Sequence, residues 1–321
     1  MKLFNYSFIV GSLVAFFNLV AMNEPEIKCN VDNLSRQQSV LLVRSTLAGA
    51  GAGIAEVAFV GHLCSYFVNQ SILGNRFSLK PLQWKKSGSI SLNPRHMYSG
   101  VGMNLASMAP ITGIQNALTA QFASWFKEYT GKELSGIQLV LPPVFAGAVA
   151  ALLVATPTER IPNYMQRVVT HNGSRLSSWQ ATKELISKHG ITTPWRGVSS
   201  TALRDGLFTV GYKTLPGAIH RFCSPLIGDG SVSKMSSSIV AGLITAVATQ
   251  PFQVVARHMQ NNETVSHSLS AVRELYNNEG VGGLWKGGIP RGIRVVVAIP
   301  VLSFVEKKLS EVMNDCEEKN D

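Results

Sequence analysis

The residues best suited to bind a charged ligand are two arginines inside long apolar segments. Arg204 lies in the segment 197–222 and is followed directly by Asp205. Arg294 lies in the segment 288–312. A guanidinium group binds a carboxylate or phosphate through two parallel, charge-assisted hydrogen bonds. A charged side chain inside a membrane is costly and usually faces a water-filled cavity or a partner. The two arginines therefore indicate a site for an anionic group.

Other kinds of site are not indicated by the sequence. The four cysteines show no CxxC pair and the seven histidines form no HExxH or similar cluster, so neither a disulfide framework nor a metal site is predicted. The sequence contains no dinucleotide-binding, phosphate-loop or nucleophile-elbow motif. We therefore expect no cofactor, no metal ion and no enzymatic activity.

The composition is typical of a membrane protein. Hydrophobic residues make up 45% of the 321 residues and charged residues only 15%, against about 25% charged residues in a soluble domain. Several runs of about 20 residues carry almost no charge, which is the length that a helix needs to cross a bilayer. The net charge of +10 comes mainly from the segments between these runs, which indicates membrane topology rather than nucleic-acid binding.

A repeated phrase divides the chain into three units. The stretch VATPTERIPNYMQR is matched by VATQPFQVVARHMQ, and their prolines, Pro157 and Pro251, are 94 residues apart. Farther along, HGITTPWRG is matched by EGVGGLWKG, with tryptophans 90 residues apart. An internal repeat of this length indicates that the chain is built from similar structural units. The predicted units are 40–134, 135–228 and 229–313, preceded by an N-terminal hydrophobic segment and linker (1–39) and followed by a charged tail (314–321).

Each unit contains two long apolar segments. The fold class predicted is therefore an all-α membrane protein with six transmembrane helices formed by three tandem two-helix repeats. The linkers inside the units are basic, which places all three on one side of the membrane and both termini on the other. The predicted spans are 45–70, 97–126, 136–167, 197–222, 235–260 and 288–312.

These motifs resemble those of the mitochondrial carrier family. Its members have three repeats of about 100 residues, each with a Pro-x-Asp/Glu-x-x-Lys/Arg motif and, later, an aromatic-Lys/Arg-Gly entry to the second helix. The stretches PTERIPNYMQ, PFQVVARHMQ, HGITTPWRG and EGVGGLWKG carry the resemblance, which extends over residues 40–313. It implies six helices around a central cavity, with Pro157 and Pro251 as structural helix-kink positions.

The resemblance also implies where a substrate binds. In the family the contacts lie seven residues after the entry glycine, which here gives Ser107, Arg204 with Asp205, and Arg294. Seven residues span roughly 10 Å of helix, toward the middle of the bilayer. The Arg-Asp pair resembles that of carriers of amino-acid-like or carnitine-like substrates, whereas two arginines also suit a nucleotide phosphate. Alternatively, each arginine pairs with an acid, Asp205 or Glu56, and only holds the helices together.

The positions at which the family's carriers close by salt bridges are altered in this chain. The implied gating residues are Glu159, Gln253 and, near the end of the last helix, Glu306. Pro162 and Ala256 occupy the base positions of the second and third units. The gates therefore retain few of the family's charges.

The first unit leaves its alignment open by two residues. Its acid position is either Leu63 or Ser65, and its base position is either Tyr66 or Val68, so neither register retains a charge. Weaker gates lower the barrier for the empty carrier to reorient. The eroded motifs therefore favour net, uncoupled transport over strict exchange.

Two functions agree with these observations. The first is a transporter that moves a small anionic or zwitterionic metabolite, amino-acid-like, carboxylate-like or a nucleotide, by alternating access. The second is a non-transporting scaffold or insertion factor of the outer mitochondrial membrane, which the eroded charges favour. The retained arginines favour the transporter. For it we expect the inner mitochondrial membrane of the protein's own or a host cell, contacts with anionic lipids, a monomeric state and no binding of nucleic acid.

The two ends of the chain allow further predictions. Residues 1–22 contain one lysine followed by an apolar run, which is compatible with a signal peptide or an extra membrane helix. The tail EKKLSEVMNDCEEKND is predicted to be disordered. An acidic tail on a divergent carrier also resembles carrier-like proteins that intracellular bacteria export into host cells.

Overall fold

The regular elements of the structure are helical, which confirms the predicted all-α class for the part of the chain that is described. The computed structural model describes residues 47, 50–57, 61–73, 93–131, 134, 136–172, 176–262, 264–265 and 267–318. Residues 50–57 are helical. The α-helices that follow are α1 (His62–Ile72), α2 (Pro94–Met97), α3 (Val101–Thr130), α4 (Leu141–Ala150), α5 (Thr156–Asn172), α6 (Ser178–His189), α7 (Val198–Lys213), α8 (Leu215–Ile227), α9 (Ser231–Asn261), α10 (Ser268–Gly283) and α11 (Gly288–Glu318). Shorter helical turns are Gly136–Val140, Thr193–Trp195 and the π-helical Ala151–Ala155.

Three of the six predicted membrane spans are found among the described helices. They are Gln138–Val168, Ser231–Asn261 and Gly288–Val305. The predicted span 197–222 is divided, because α7 and α8 are separate helices of 16 and 13 residues that meet at Thr214. The two spans of the first unit and this divided span stay predictions.

The described helices surround a central space. Helix α9 packs against α7, α8 and α11, while α7 packs against α4, and α4 against α3. Helix α11 packs against α1. The segment 50–57 lies against α3, since a Cβ built on Gly53 would be 2.5 Å from Oγ1 of Thr112. These contacts connect residues of all three proposed units in one series of neighbouring helices.

Three glycines with left-handed backbone conformation precede the second long helix of each proposed unit. Gly100, Gly197 and Gly287 have φ values of 83°, 82° and 69°. Glycine adopts this conformation at little cost because it has no Cβ. These are the entry glycines of the sequence motif. The left-handed backbone at this position explains why the motif contains glycine.

The residues opposite these glycines settle the alignment of the first unit. A Cβ built on the first glycine would lie 2.8 Å from Cβ of Pro162, one on the second 3.2 Å from the carbonyl oxygen of Ala256, and one on the third 3.3 Å from Cα of Val68. These three residues are spaced by 94 positions in the sequence. Val68 therefore occupies the base position of the first unit, and Ser65 the acid position.

Pro157 is the second residue of α5, which begins directly after the π-helical stretch Ala151–Ala155. Proline has no backbone N–H, so it cannot donate to a carbonyl in the preceding turn. The carbonyl of Leu152, five residues earlier, instead accepts a hydrogen bond of 2.9 Å from Nε1 of Trp195. Pro251 lies inside α9, which continues through it. The tryptophan of the entry motif thus supplies a donor for a carbonyl group in the turn before the proline.

Replacing Trp195 by phenylalanine is expected to lower the stability by about 1 kcal/mol, because no water in the bilayer replaces the lost donor to Leu152. Thermal unfolding in detergent measures this effect. Trp179→Phe is the matched control, since Trp179 lies on α6 and is 76% exposed. Equal midpoints for the two variants would contradict the prediction.

Candidate functional site

Arg204 on α7 binds two acids at once. Its Nη1 and Nη2 donate to Oε2 and Oε1 of Glu159, each at 2.8 Å. Its Nε donates to Oδ1 of Asp205 at 2.6 Å. Arg204 is 5% exposed, so these bonds lie away from solvent. The two parallel bonds to Glu159 have the geometry with which a guanidinium group binds a free carboxylate.

Arg294 on α11 makes a second arrangement of this kind. Its Nε and Nη2 donate to Oε1 and Oε2 of Glu56 at 2.8 and 3.3 Å. Its Nη1 donates to the hydroxyl of Ser65 at 2.7 Å. Glu56 is 4% exposed and lies 238 residues away in the sequence. Both acid partners that the sequence offered as the alternative, Asp205 and Glu56, are thus paired with these arginines in the structure.

Sequence reasoning missed a third arginine, Arg291. Its Nη1 donates at 2.9 Å to Oε1 of Gln253, and the same oxygen accepts from Nη1 of Arg204 at 2.7 Å. Its Nη2 donates to the hydroxyl of Thr249 at 2.7 Å. The spacing of three residues between Arg291 and Arg294 places both on one helix face, and this signal could have found it.

A fourth arginine, Arg257, was missed because it follows the predicted base position, Ala256, by one residue. It is 5% exposed, and its Nη2 lies 3.9 Å from Oε2 of Glu159. Arg257 stands 94 residues after Asn163, which stands 94 after Asn69. The repeat therefore places an arginine where the other two units have asparagine, a contrast that the sequence alone could have shown.

We call the four arginines, together with the three acids that lie beside them, the central cluster. Within the described part of the chain it has four guanidinium groups and three carboxylates, and thus one excess positive charge. Its cavity has a volume of about 60 Å³, below the roughly 300–1,000 Å³ of ligand pockets. Two of its arginines, Arg204 and Arg294, are bonded directly to the protein's own acids in this structure. The cluster consists of Arg204, Arg257, Arg291, Arg294, Glu56, Glu159 and Asp205.

The remaining predicted site residues, Ser107, Gln253 and Glu306, are not members of the central cluster. Ser107 on α3 is 5% exposed, and its hydroxyl donates to the carbonyl of Asn104 at 3.0 Å. It lines a smaller cavity, of about 20 Å³, together with Arg294. Gln253 touches the central cluster through Arg204 and Arg291. The side chain of Glu306 lies outside the described residues.

Two buried amide pairs connect the proposed units. Nδ2 of Asn69 donates to Oε1 of Gln166 at 3.0 Å, and Nδ2 of Asn163 donates to Oε1 of Gln260 at 2.8 Å. In each pair the two residues are 97 positions apart in the sequence. The position of the first unit that corresponds to these glutamines is Ile72, which packs against an apolar cluster of the third unit. Neutral hydrogen bonds thus join the units close to the predicted gate positions.

Comparison with known proteins agrees with this architecture. The family model "Mitochondrial carrier protein" matches residues 134–223 and 229–315, more than half of the chain. Mitochondrial tricarboxylate transporter 1 of Mycosarcoma maydis is 22% identical over 292 residues, which cover 84% of this chain and 94% of that protein. Mitochondrial citrate transporter A of Aspergillus niger is 22% identical over 282 residues, covering 85% and 92%. Mitochondrial glutamate carrier 1 of Rattus norvegicus is 26% identical over 247 residues, covering 65% and 75%.

The resemblance noted from the sequence is confirmed by the family model and by these relatives. They are divergent, but two of them are aligned over most of both chains. The matched family and these relatives are transporters rather than enzymes, and the helical membrane spans and the buried charges agree with a solute transporter. The chain belongs to the mitochondrial carrier family.

Proposed function

We propose that this protein transports a small anionic or zwitterionic metabolite across the inner mitochondrial membrane by alternating access. The observation that carries the proposal is the pair of guanidinium groups of Arg204 and Arg294. They come from different units, line one cavity, and each holds an internal carboxylate through two hydrogen bonds. A substrate carboxylate offers the same two oxygens and can replace the internal one.

Carboxylates and amino acids are favoured over nucleotides as substrates. The excess positive charge of the central cluster suits an anion. Asp205 beside Arg204 adds an acceptor for an ammonium group, which suits an amino acid. The names of the relatives, which refer to tricarboxylate, citrate and glutamate, point in the same direction.

Net transport is favoured over obligatory exchange. Near the gate positions the described contacts between units include the two amide pairs, hydrogen bonds from Arg167 and Arg196 to backbone carbonyls of α9, and one long ion pair, of 3.9 Å, between Glu159 and Arg257. Fewer close ion pairs at this end mean a smaller free-energy cost for the empty carrier to open. Without a substrate on the opposite side the carrier is then still able to return.

Uptake into liposomes containing the purified protein tests the proposal. Labelled citrate, glutamate and ADP are supplied outside, with and without the same compound inside. We expect uptake of citrate or glutamate that persists without internal substrate. The double variant Arg204→Ala, Arg294→Ala is expected to reduce it about 100-fold or more, because two charged hydrogen-bonding groups are lost.

Two further variants separate binding from folding. Arg204→Lys with Arg294→Lys keeps both charges but removes the paired donors, so uptake is expected to fall while the protein still unfolds cooperatively. Arg273→Ala changes an exposed arginine of α10 and is expected to retain uptake. Absence of uptake by the folded wild-type protein would overturn the transporter and favour the non-transporting scaffold.

A further inference from the structure

The side chain of Arg257 has unused hydrogen-bond donors in a buried place. Arg257 is 5% exposed, and among the described residues its Nε and Nη1 have no acceptor. Its Nη2 lies 3.9 Å from Oε2 of Glu159, which is too long for a hydrogen bond. Removing a charged donor from water without giving it an acceptor is costly. The guanidinium group is therefore held ready for an acceptor that the described part of the chain does not supply.

The repeat shows that this arginine is peculiar to the third unit. The corresponding residues of the other two units, Asn69 and Asn163, each donate to a glutamine of the next unit. The position that would complete a third pair with residue 257 is Ile72, whose apolar side chain has no acceptor. Arg257 thus lies where the series of amide pairs is interrupted. The contact between units that explains its two counterparts does not explain the arginine.

Arg257 lines the same small cavity as Arg294, together with the polar side chains of Ser107 and Asn104. The cavity has a volume of about 20 Å³, enough for one water molecule, so it must widen before a substrate enters. The two arginines differ in their partners. Arg294 is bonded to Glu56, whereas Arg257 has no hydrogen-bonded carboxylate among the described residues. A carboxylate can therefore bind Arg257 without displacing an internal acid.

The charges of the central cluster also favour an anionic group at Arg257. The cluster has one more guanidinium group than it has carboxylates. Arg204 and Arg294 are bonded to acids, and Arg291 donates to two neutral side chains. Arg257 shares Glu159 with Arg204 and is the more distant of the two arginines from it. An added carboxylate would give Arg257 the charged acceptor that it lacks.

We propose that Arg257 is a specificity-determining residue that binds a second carboxylate of the substrate, while the first binds Arg294 in the same cavity. The inference rests on the proposed function and narrows its substrate to compounds with at least two carboxylates. An analogue with an amide in place of one carboxylate leaves the charge of Arg257 uncompensated and binds more weakly. For hydrogen bonds to a charged group, the expected discrimination is about 10- to 100-fold.

Calorimetric titration of the purified full-length protein with glutamate, and separately with glutamine, tests the proposal. The two compounds have the same carbon skeleton, but glutamine has an amide where glutamate has its second carboxylate. We expect the wild-type protein to bind glutamate about 10- to 100-fold more tightly. In Arg257→Asn this preference is expected to disappear, because the affinity for glutamate falls while that for glutamine stays nearly the same. A purely structural role of Arg257 would lower both affinities together.

Three further variants separate binding from folding. Arg257→Asn combined with Ile72→Gln gives residue 257 the amide partner that Asn69 and Asn163 have, so we expect it to unfold cooperatively and still lack the preference. Arg257→Lys keeps the positive charge and is expected to retain part of the preference. Arg273→Asn makes the matched exchange at an exposed position of α10 and is expected to retain all of it.

Citrate provides a second ligand for the same measurement. Two carboxylates remain when any one of its three is changed, so the quantity measured here is the loss of affinity itself. We expect Arg257→Asn to bind citrate about 10- to 100-fold more weakly than the wild-type protein does. Arg273→Asn is expected to bind citrate as the wild-type protein does.

The outcomes distinguish this inference from the proposed function. A wild-type protein without the preference for glutamate, or an equal preference in Arg257→Asn, overturns the specificity proposal and leaves the carrier. If citrate binds and glutamate does not, an unchanged affinity of Arg257→Asn for citrate has the same meaning, as does binding of ADP alone. Failure of the folded wild-type protein to bind citrate, glutamate or ADP overturns the proposed function, and this inference with it.

Discussion

The substitution Gly147→Ala is expected to destabilise the protein by about 3 kcal/mol and to abolish substrate binding. A Cβ built on Gly147 of α4 would lie 2.6 Å from Cα of Gly206 and directly against the carbonyl oxygen of Asp205 on α7. These are backbone atoms, so no side chain can rotate away and the helices must separate, at a cost typical of overpacking or above it. The separation would displace Arg204 and Asp205. Thermal unfolding, with and without citrate, measures both effects.

Gly102→Ala is the matched control for this variant. Gly102 lies inside α3, and a Cβ built there meets no atom within 4 Å. Alanine favours a helix over glycine by roughly 0.5–1 kcal/mol, so the midpoint is expected to stay the same or rise. A Gly147→Ala protein as stable as Gly102→Ala would show that α4 and α7 do not approach each other this closely.

The substitution Glu159→Gln is expected to cost about 3–5 kcal/mol of stability, the range observed when one partner of a buried ion pair is removed. Glutamine has nearly the same shape but carries no charge. Arg204 would keep Asp205 as its acid partner, whereas Arg257 would lose the one carboxylate to which it is paired among the described residues. Denaturant or thermal unfolding in detergent measures the loss.

Anions provide an internal check on this prediction. If the loss comes from uncompensated guanidinium groups, citrate should stabilise Glu159→Gln more than it stabilises the wild-type protein, since an added carboxylate restores the balance. Glu128→Gln changes an exposed acid of α3 and should unfold as the wild-type protein does. A Glu159→Gln protein with unchanged stability would mean that the central cluster is hydrated and its charges are screened.

Much of the fold could be predicted because the sequence repeats its local signals. The prolines, entry glycines and Trp-Arg/Lys-Gly motifs fix helix starts, and their common spacing indicates the order of the helices. The division of the span 197–222 at Thr214 was not predicted, because hydropathy over this window does not show where a helix is interrupted. The alignment of the first unit required the structure, since contacts with Gly287 rather than residue types identify Val68.

The candidate site could be predicted less completely. Motif positions gave Arg204, Asp205 and Arg294, and helix phase offered Glu56. Arg257 and Arg291 lie one residue and three residues from motif positions, so a position-by-position transfer passed over them. Which acid pairs with which arginine depends on contacts between helices far apart in sequence, such as Glu56 with Arg294, and no local pattern encodes these.

The amide pairs Asn69–Gln166 and Asn163–Gln260 have a consequence for how the protein responds to its surroundings. Dissolved ions screen attractions between charges, with a Debye length of about 8 Å at physiological ionic strength. A hydrogen bond between two neutral amides involves no net charges to screen, and neither group titrates near neutral pH. The free energy with which these pairs hold adjacent units together should thus be the same in dilute buffer and in concentrated salt. These two contacts between units are therefore expected to keep their strength under ionic conditions that would weaken a ring of exposed ion pairs.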